Sequence, residues 1–283
     1  MNLCDINEVR ALMRRHGFRT QKEFGQNFLI NEEVPRAIAQ NSASGGRGVI
    51  EIGPGIGCLT RELAREAKKV VAIEIDTKLE PIHKETLSDL DNVSVIYGDV
   101  MKLDLNELIS REFEGMDVCV CANLPYYITT PIIMKLLEEH LPLKSITVMV
   151  QREVALRLCA DEKSKDNGAI SLSIRYFTNP SYLFDVPSQD FLPAPSVDSA
   201  VIRLDVLDAP AVAVNDEKHM FSLIKAAFSQ RRKTLINALS NMTGLDKESL
   251  ADYLLSIGKN VDIRGERMSI ADFAALSDII TKK

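Results

Sequence analysis

Between residues 48 and 207 short apolar runs alternate with amphipathic stretches, and this alternation constrains the fold more than any other feature. Val49-Ile50-Glu51-Ile52, Val70 to Ile75, Val93 to Tyr97, Val118 to Ala122 and Ile146 to Val150 read as strands. Leu59 to Ala67, Lys78 to Leu90 and Ile132 to Leu137 carry helical spacing between them. Strand-length runs alternating with helices predict an α/β fold, a mainly parallel sheet with helices on both faces. Ile170 to Phe177 and Ala200 to Val206 have period-two character and add strands at one edge, which makes seven. Asp208-Ala209-Pro210 and the following Ala211 to Asn215 read as a linker. Beyond it the pattern is helical only, at Met220 to Leu239, Leu250 to Ile257 and Ile270 to Ile280. The expected organisation is therefore a domain over 1–207, with an N-terminal extension over 1–45 holding one helix and a loop from Lys22 to Asn31. A small all-α C-terminal domain follows over 208–283.

The bulk properties fit a globular chain of 283 residues, 46% hydrophobic and 26% charged. No apolar run is long enough to span a membrane, and Met1-Asn2-Leu3-Cys4-Asp5 lacks the profile of a secretory signal. A cytoplasmic protein is expected. The five cysteines are scattered, no pair has the gap usual in structural zinc sites, and neither a metal nor a disulfide role is expected. Cys119 and Cys121 fall on one face of a strand, as core filling would. The net charge is −6, yet the basic residues cluster. Arg10, Arg14, Arg15, Arg19 and Lys22 form one acid-free stretch; Lys218, Lys225, Arg231, Arg232 and Lys233 form another. These are either solvated helix faces or a local surface for nucleic-acid phosphates.

Glu51-Ile52-Gly53-Pro54-Gly55-Ile56-Gly57 joins the first strand to the first helix of the alternating region. A dinucleotide fingerprint wants a glycine three residues after Gly55, where this chain has Cys58. Gly-x-Gly-x-Gly preceded by a carboxylate is instead the loop pattern of S-adenosylmethionine (SAM) methyltransferases. Glu74 ends the second strand, twenty-one residues after Gly53, where a carboxylate can accept both ribose hydroxyls of a nucleoside. Asp99 follows the third strand, placed either to accept from an adenine amine or to cap a helix. Three successive strand ends bearing these groups favour SAM over NAD.

The loop after the fourth strand is Asn123-Leu124-Pro125-Tyr126. An amide oxygen, a backbone carbonyl and an aromatic face within four residues can hold a flat nucleobase by its exocyclic amine. Adenine N6 is a poor nucleophile because its lone pair is delocalised into the ring. Hydrogen bonds from both N6 protons to Asn123 Oδ1 and the Leu124 carbonyl would localise that pair, while Tyr126 stacks on the base. No catalytic histidine is needed, and none of His16, His83, His140 and His219 lies in these loops. Apart from the glycine loop, the tetrapeptide also reads as a proline turn with Asn123 as a helix cap.

These motifs together closely resemble the KsgA (RsmA) family of ribosomal RNA adenine dimethyltransferases, over nearly the whole chain. Gln26-Asn27-Phe28-Leu29 matches the family's N-terminal cofactor motif, and Asn123 to Pro131 its catalytic motif. Phe191 to Ser199 and Phe228-Ser229-Gln230-Arg231-Arg232-Lys233 match two later ones. The resemblance implies a Rossmann-like methyltransferase fold in which Asn27, Leu29, Gly53, Gly55, Glu74, Asp99 and Asn123 bind SAM. It implies catalytic roles for Asn123, Leu124, Pro125, Tyr126 and Phe191, with Phe191 closing the other face of the base, and RNA-binding roles for Arg231, Arg232 and Lys233. The implied substrate is 16S rRNA of an assembling small subunit, dimethylated at two adjacent adenosines of a hairpin loop near its 3′ end. A monomeric enzyme without metal is expected. Large-subunit adenine methyltransferases of the macrolide-resistance type, and non-enzymatic relatives that serve as transcription factors, are the competing readings. DNA adenine methyltransferases usually have proline where this chain has Leu124.

Overall fold

A computed structural model describes residues 1–21, 25–230 and 232–282. In chain order the elements begin with α1 (Ile6–Arg15), β1 (Phe28–Leu29), α2 (Glu33–Ser42), β2 (Gly48–Ile52), α3 (Cys58–Glu66), β3 (Lys69–Glu74) and α4 (Glu80–Thr86). Next come β4 (Val93–Tyr97), α5 (Leu105–Glu112), β5 (Val118–Asn123), α6 (Thr129–Glu138), β6 (Leu143–Gln151) and α7 (Arg152–Cys159). The chain continues through α8 (Ala169–Phe177), β7 (Thr178–Val186), β8 (Phe191–Leu192) and β9 (Ser199–Val206). It ends with α9 (Glu217–Ser229), α10 (Leu235–Thr243), α11 (Lys247–Ser256) and α12 (Ile270–Thr281).

The seven-stranded sheet runs β4-β3-β2-β5-β6-β9-β7. β4, β3, β2, β5 and β6 pair in parallel, and β9 joins β6 antiparallel. Every residue of β2 is buried, as are all but the terminal residue of β3 and of β5. That explains their unbroken apolar runs: helices cover both faces, so no position faces water. The strand order reverses between β2 and β5, and a crevice opens there beyond the carboxyl ends of the strands.

The N-terminal extension differs from its expected form. It holds two helices, α1 and α2, and both belong to the core. Val9 and Leu12 of α1 and Ile38 and Ala39 of α2 are buried with Leu59 and Leu63 of α3 and with Val49, Val70, Cys119 and Cys121 of the sheet. Cys119 and Cys121 are thus core residues, as their spacing on the strand predicts. Cys4 and Cys58 depart from the cysteine reading. They are bonded in the structure, with Cα atoms 6.5 Å apart. They lie 54 residues apart in sequence, and local spacing carries no sign of a contact made when the segment before α1 reaches the start of α3.

The chain forms two compact units, Met1–Ala155 with Ser181–Val206, and Leu156–Pro180 with Leu207–Lys283. The expected division into 1–207 and 208–283 therefore needs amending, since residues 156–180 belong to the second unit. The expected strand over Ile170 to Phe177 is also corrected: Ala169–Phe177 is the helix α8. The alternation misled because Ser171 and Ser173 are as buried as their apolar neighbours. Ser173 Oγ donates to the Ala169 carbonyl, and Ser171 Oγ donates to the Arg157 carbonyl. Serines satisfied in this way count as interior positions of a helix, not as a solvent face. In the second unit Tyr176 and Phe177 pack their rings on Phe221 of α9. The single helix expected over Met220 to Leu239 is two, α9 and α10. Their buried faces end at Ala227 and resume at Leu235, and a wholly polar run from Ser229 to Thr234 interrupts the apolar period.

Candidate active site

A cavity of about 1150 Å³, counting its open mouth, lies at the carboxyl ends of β2, β3, β4 and β5. Asn27, Leu29, Gly53, Gly55, Glu74, Asp99, Asn123, Leu124, Pro125, Tyr126 and Phe191 all line it. The fold thus gathers into one wall every expected cofactor and catalytic residue, from positions spread over 165 residues.

The glycine turn is shaped by its conformation and its neighbours. Gly53, Gly55 and Gly57 all have positive φ, at 73°, 58° and 93°, a region other residues adopt at a cost. A Cβ on Gly57 would meet Leu87 at 2.7 Å, so the turn into α3 has no room for a side chain. Gly55 is held at both backbone polar atoms. Its N–H donates to Glu74 Oε2 at 3.2 Å, and its carbonyl accepts from His83 Nε2 at 2.7 Å.

Glu74 ends β3 almost fully buried, its Oε1 accepting the Asp76 N–H at 2.9 Å. Burial pushes its carboxyl up to about 7, against the pull of the two backbone N–H donors. Glu51, one strand over on β2, is raised further, to about 8, by complete burial, with a smaller push from the Glu74 charge. Its Oε2 has no hydrogen-bond partner. In sequence Glu51 is visible only as the carboxylate that precedes the glycine turn; its burial and its unpartnered oxygen are products of the fold. A buried carboxyl at a glycine turn with one oxygen left unpartnered fits a nucleoside bearing positive charge, as SAM does with its sulfonium and ammonium groups. Asp99 both lines the cavity and caps locally, Oδ1 accepting the Met101 N–H at 3.0 Å.

Asn123 closes β5, and its Nδ2 donates to the Asn27 carbonyl at 3.4 Å. The amide oxygen, an acceptor with two lone pairs, is left for another partner. Leu124 is buried, and its N–H donates to the Met149 carbonyl, fixing the turn as it leaves the sheet. The Pro125 carbonyl accepts from Ile128 N–H and Thr129 Oγ1, which starts α6 directly behind the tetrapeptide. Tyr126 anchors its hydroxyl on Ser199 Oγ at 2.9 Å. Burial raises that phenol above its ordinary range.

Two connections escape sequence reading. β1 pairs antiparallel with β8, setting Phe28 opposite Leu192 and Leu29 opposite Phe191. This two-residue ladder joins the N-terminal motif to the later one and brings the buried Phe191 ring to the cavity. Asp76, buried past the end of β3, accepts from Gln21 Nε2 at 2.9 Å and Gln26 Nε2 at 3.0 Å. Gln26 of the N-terminal motif is thereby tied to the Glu74 turn. The loop also closes on the tetrapeptide, since a Cβ on Gly25 would lie 3.2 Å from Pro125 Cβ.

The basic residues lie elsewhere. Arg232 and Lys233 are exposed in the turn between α9 and α10, not on a helix face, and Lys233 N–H bonds to the Gln230 carbonyl. Arg231 and Lys22 are outside the described residues. Arg10 and Arg14 on α1 and Arg19 just after it are exposed, while Arg15 and His16 both bond Glu85. Among the described residues no group of three His, Cys, Asp or Glu could hold a metal, and no helix is long and apolar enough to cross a membrane.

A parallel sheet with a glycine turn, two buried strand-end acids and an Asn-Leu-Pro-Tyr corner on one crevice defines a Rossmann-like methyltransferase. The chain belongs to the ribosomal RNA adenine dimethylase family, whose profile matches residues 17–282. It is 47% identical over 280 residues to the ribosomal RNA small subunit methyltransferase A of Alkaliphilus oremlandii strain OhILAs, covering 98% of this chain and 97% of the relative. The protein of the same name from Bacillus mycoides strain KBAB4 is 48% identical over 284 residues, at 99% and 97% coverage. Among solved structures, a dimethyladenosine transferase from Plasmodium falciparum superposes with a TM-score of 0.73 at 25% identity, covering 88% of this chain and 95% of that one. The 23S rRNA methyltransferase ErmE shares the fold, with a TM-score of 0.66 at 22% identity over 90% of this chain and all of that one.

Proposed function

We propose that this protein dimethylates N6 of two adjacent adenosines in a hairpin loop near the 3′ end of 16S rRNA, acting as a monomer on assembling small subunits in the cytoplasm. The reading rests above all on the convergence of Asn123, Tyr126 and Phe191 with the glycine turn and Glu74 in one cavity.

SAM, when bound, supplies a methyl group already activated on a sulfonium. Glu74 would accept the ribose hydroxyls, Asp99 would accept from the adenine amine of the cofactor, and Glu51, once ionised, would balance its positive charge. The target base leaves its loop, where unstacking costs least, and slots between Tyr126 and Phe191. Asn123 Oδ1 and the Leu124 carbonyl accept from the two N6 protons, which aims the nitrogen lone pair across the crevice. The amine sheds its proton once alkylated, so positioning replaces a strong base. After the first transfer one N6 proton remains, and one of the two acceptors suffices to orient the second. Arg232 and Lys233, with Arg231, hold rRNA phosphates in the second unit.

The test is transfer of labelled methyl from SAM to unmethylated small subunits and, separately, to large subunits. Incorporation into the small subunit alone is expected. Labelling of the large subunit would favour the macrolide-resistance type of activity, and SAM binding without transfer to either would favour a non-enzymatic role.

A further inference from the structure

Among the four histidines, His83 has a position that sequence reading gave no reason to notice. It lies on α4, only 4% exposed, and does not line the cavity. Its two ring nitrogens have different partners. Nε2 lies 2.7 Å from the Gly55 carbonyl and Nδ1 lies 2.8 Å from the Tyr97 hydroxyl. A carbonyl only accepts, so Nε2 carries the proton; in a neutral ring Nδ1 then accepts and the Tyr97 O–H donates. Burial disfavours the charged imidazolium here and lowers the pKa of the ring.

The two ends of this relay are both cofactor elements. Gly55 is the middle glycine of the turn, and its N–H is already held by Glu74. Tyr97 is the last residue of β4, registered opposite Glu74, and Gly98 and Asp99 follow it directly. The Gly98 N–H in turn donates to the Glu74 carbonyl at 2.8 Å. Gly55 has φ of 58° and a ring edge of Phe28 3.2 Å from where its Cβ would be, so the turn sits in a narrow space at a conformation without side-chain support of its own.

We propose that His83 is a positioning residue for the cofactor: it fixes the Gly55 carbonyl and, through Tyr97, ties the glycine turn to the strand end that presents Asp99. The proposal rests on the SAM reading above. His83 makes no contact with the transferred methyl or the base, so its loss acts on cofactor affinity and leaves the chemical step nearly intact. Removing the donor from a buried carbonyl that must keep its position should weaken SAM binding about tenfold.

The experiment is titration calorimetry of the full chain with SAM and with S-adenosylhomocysteine, alongside KM for SAM and kcat. His83→Leu is expected to raise Kd and KM about tenfold while kcat at saturating SAM changes less than about twofold. His83→Gln can place an amide N–H near the position of Nε2 and is expected to bind within about threefold of the unaltered protein. His83→Asn, one carbon shorter, reaches only the Nδ1 position and is expected to resemble His83→Leu. Unchanged affinity in His83→Leu, or a glutamine variant as weak as the leucine one, would overturn the proposal. If His83→Leu loses its fold by circular dichroism, Tyr97→Phe decides: a rise of about threefold in Kd supports the relay, and no rise overturns it. Absence of SAM binding by the unaltered protein would instead overturn the cofactor reading and this inference with it.

Discussion

Replacing Glu74 with glutamine should separate binding from stability in a way that few other substitutions in the cavity would. The side chain is 4% exposed and accepts backbone N–H groups on both oxygens, from Gly55 at 3.2 Å and Asp76 at 2.9 Å. Its rise from an ordinary 4.5 to about 7 corresponds, at about 1.4 kcal/mol for each pH unit, to about 3 kcal/mol of strain in the ionised form at pH 8. Glutamine keeps the shape and removes the charge, but its amide has one acceptor oxygen for two facing N–H groups. Leaving one of them without a partner costs about 1–3 kcal/mol. At pH 8 the two effects nearly cancel, and the variant should be as stable as the wild type or up to about 2 kcal/mol more so. At pH 5 the wild-type carboxyl already holds its proton, the relief vanishes, and the variant should be the less stable. SAM affinity should fall by about ten- to a hundredfold at pH 8, because a carboxylate acceptor for the ribose hydroxyls is gone, and by less at pH 5, where the wild-type group is already protonated. Thermal melts across pH and calorimetric titration with SAM read the two quantities. Wild-type affinity in Glu74→Gln would remove Glu74 from the ribose site. A large loss of stability at pH 8 would contradict the argument from the buried charge.

Asn123→Ala removes the N6 acceptor and should cost about a hundredfold or more in turnover, with SAM affinity reduced much less; steady-state kinetics with calorimetry would show near-normal turnover if the role is wrong. Replacing Arg232 and Lys233 with alanine should weaken small-subunit binding and lower the salt slope by up to about 2, with SAM affinity unchanged; an unaltered slope contradicts the phosphate role. SAM affinity of the wild type should tighten as pH rises through about 7, since the apo Glu74 carboxyl gives up its proton there, whereas the stability of the apo protein should fall from pH 4.5 as the unfolded chain ionises while buried Glu74 and Glu51 keep their protons, and level off above about 7 and 8 as each ionises in the native state. A flat binding profile between pH 6 and 8 would contradict the ribose assignment. Under non-reducing digestion, mass spectrometry should recover Cys4 and Cys58 in one linked peptide; recovery of both as free thiols from oxidised protein would contradict the pairing.

The sheet was readable because burial on both faces leaves no polar positions in β2, β3 and β5, so strand and apolar run coincide. The same logic failed at Ala169–Phe177, where Ser171 and Ser173 look like a solvent face yet satisfy their hydroxyls inside the protein. In the cavity, Gly53, Gly55, Glu74 and Asp99 were visible because the chemistry of a nucleoside demands those groups at strand ends. What stayed hidden depends on long-range pairing. The β1–β8 ladder is two residues long, too short for any periodicity, and Asp76 shows nothing in sequence of the two glutamine side chains that converge on it. His83 sits at an ordinary helix position, and only the fold brings it under the Gly55 carbonyl. The Cys4–Cys58 contact likewise exists only once the chain before α1 has folded onto the start of α3.

Catalysis here depends on a base held between Tyr126 and Phe191 with N6 turned to the donor methyl. Digestion of 16S rRNA from subunits treated with SAM and this protein, followed by mass spectrometry of the modified nucleosides, tests it most directly. N6,N6-dimethyladenosine at two neighbouring positions, lost in the Asn123→Ala variant, is the expected result. Methylation on a ring nitrogen or on another base would contradict it.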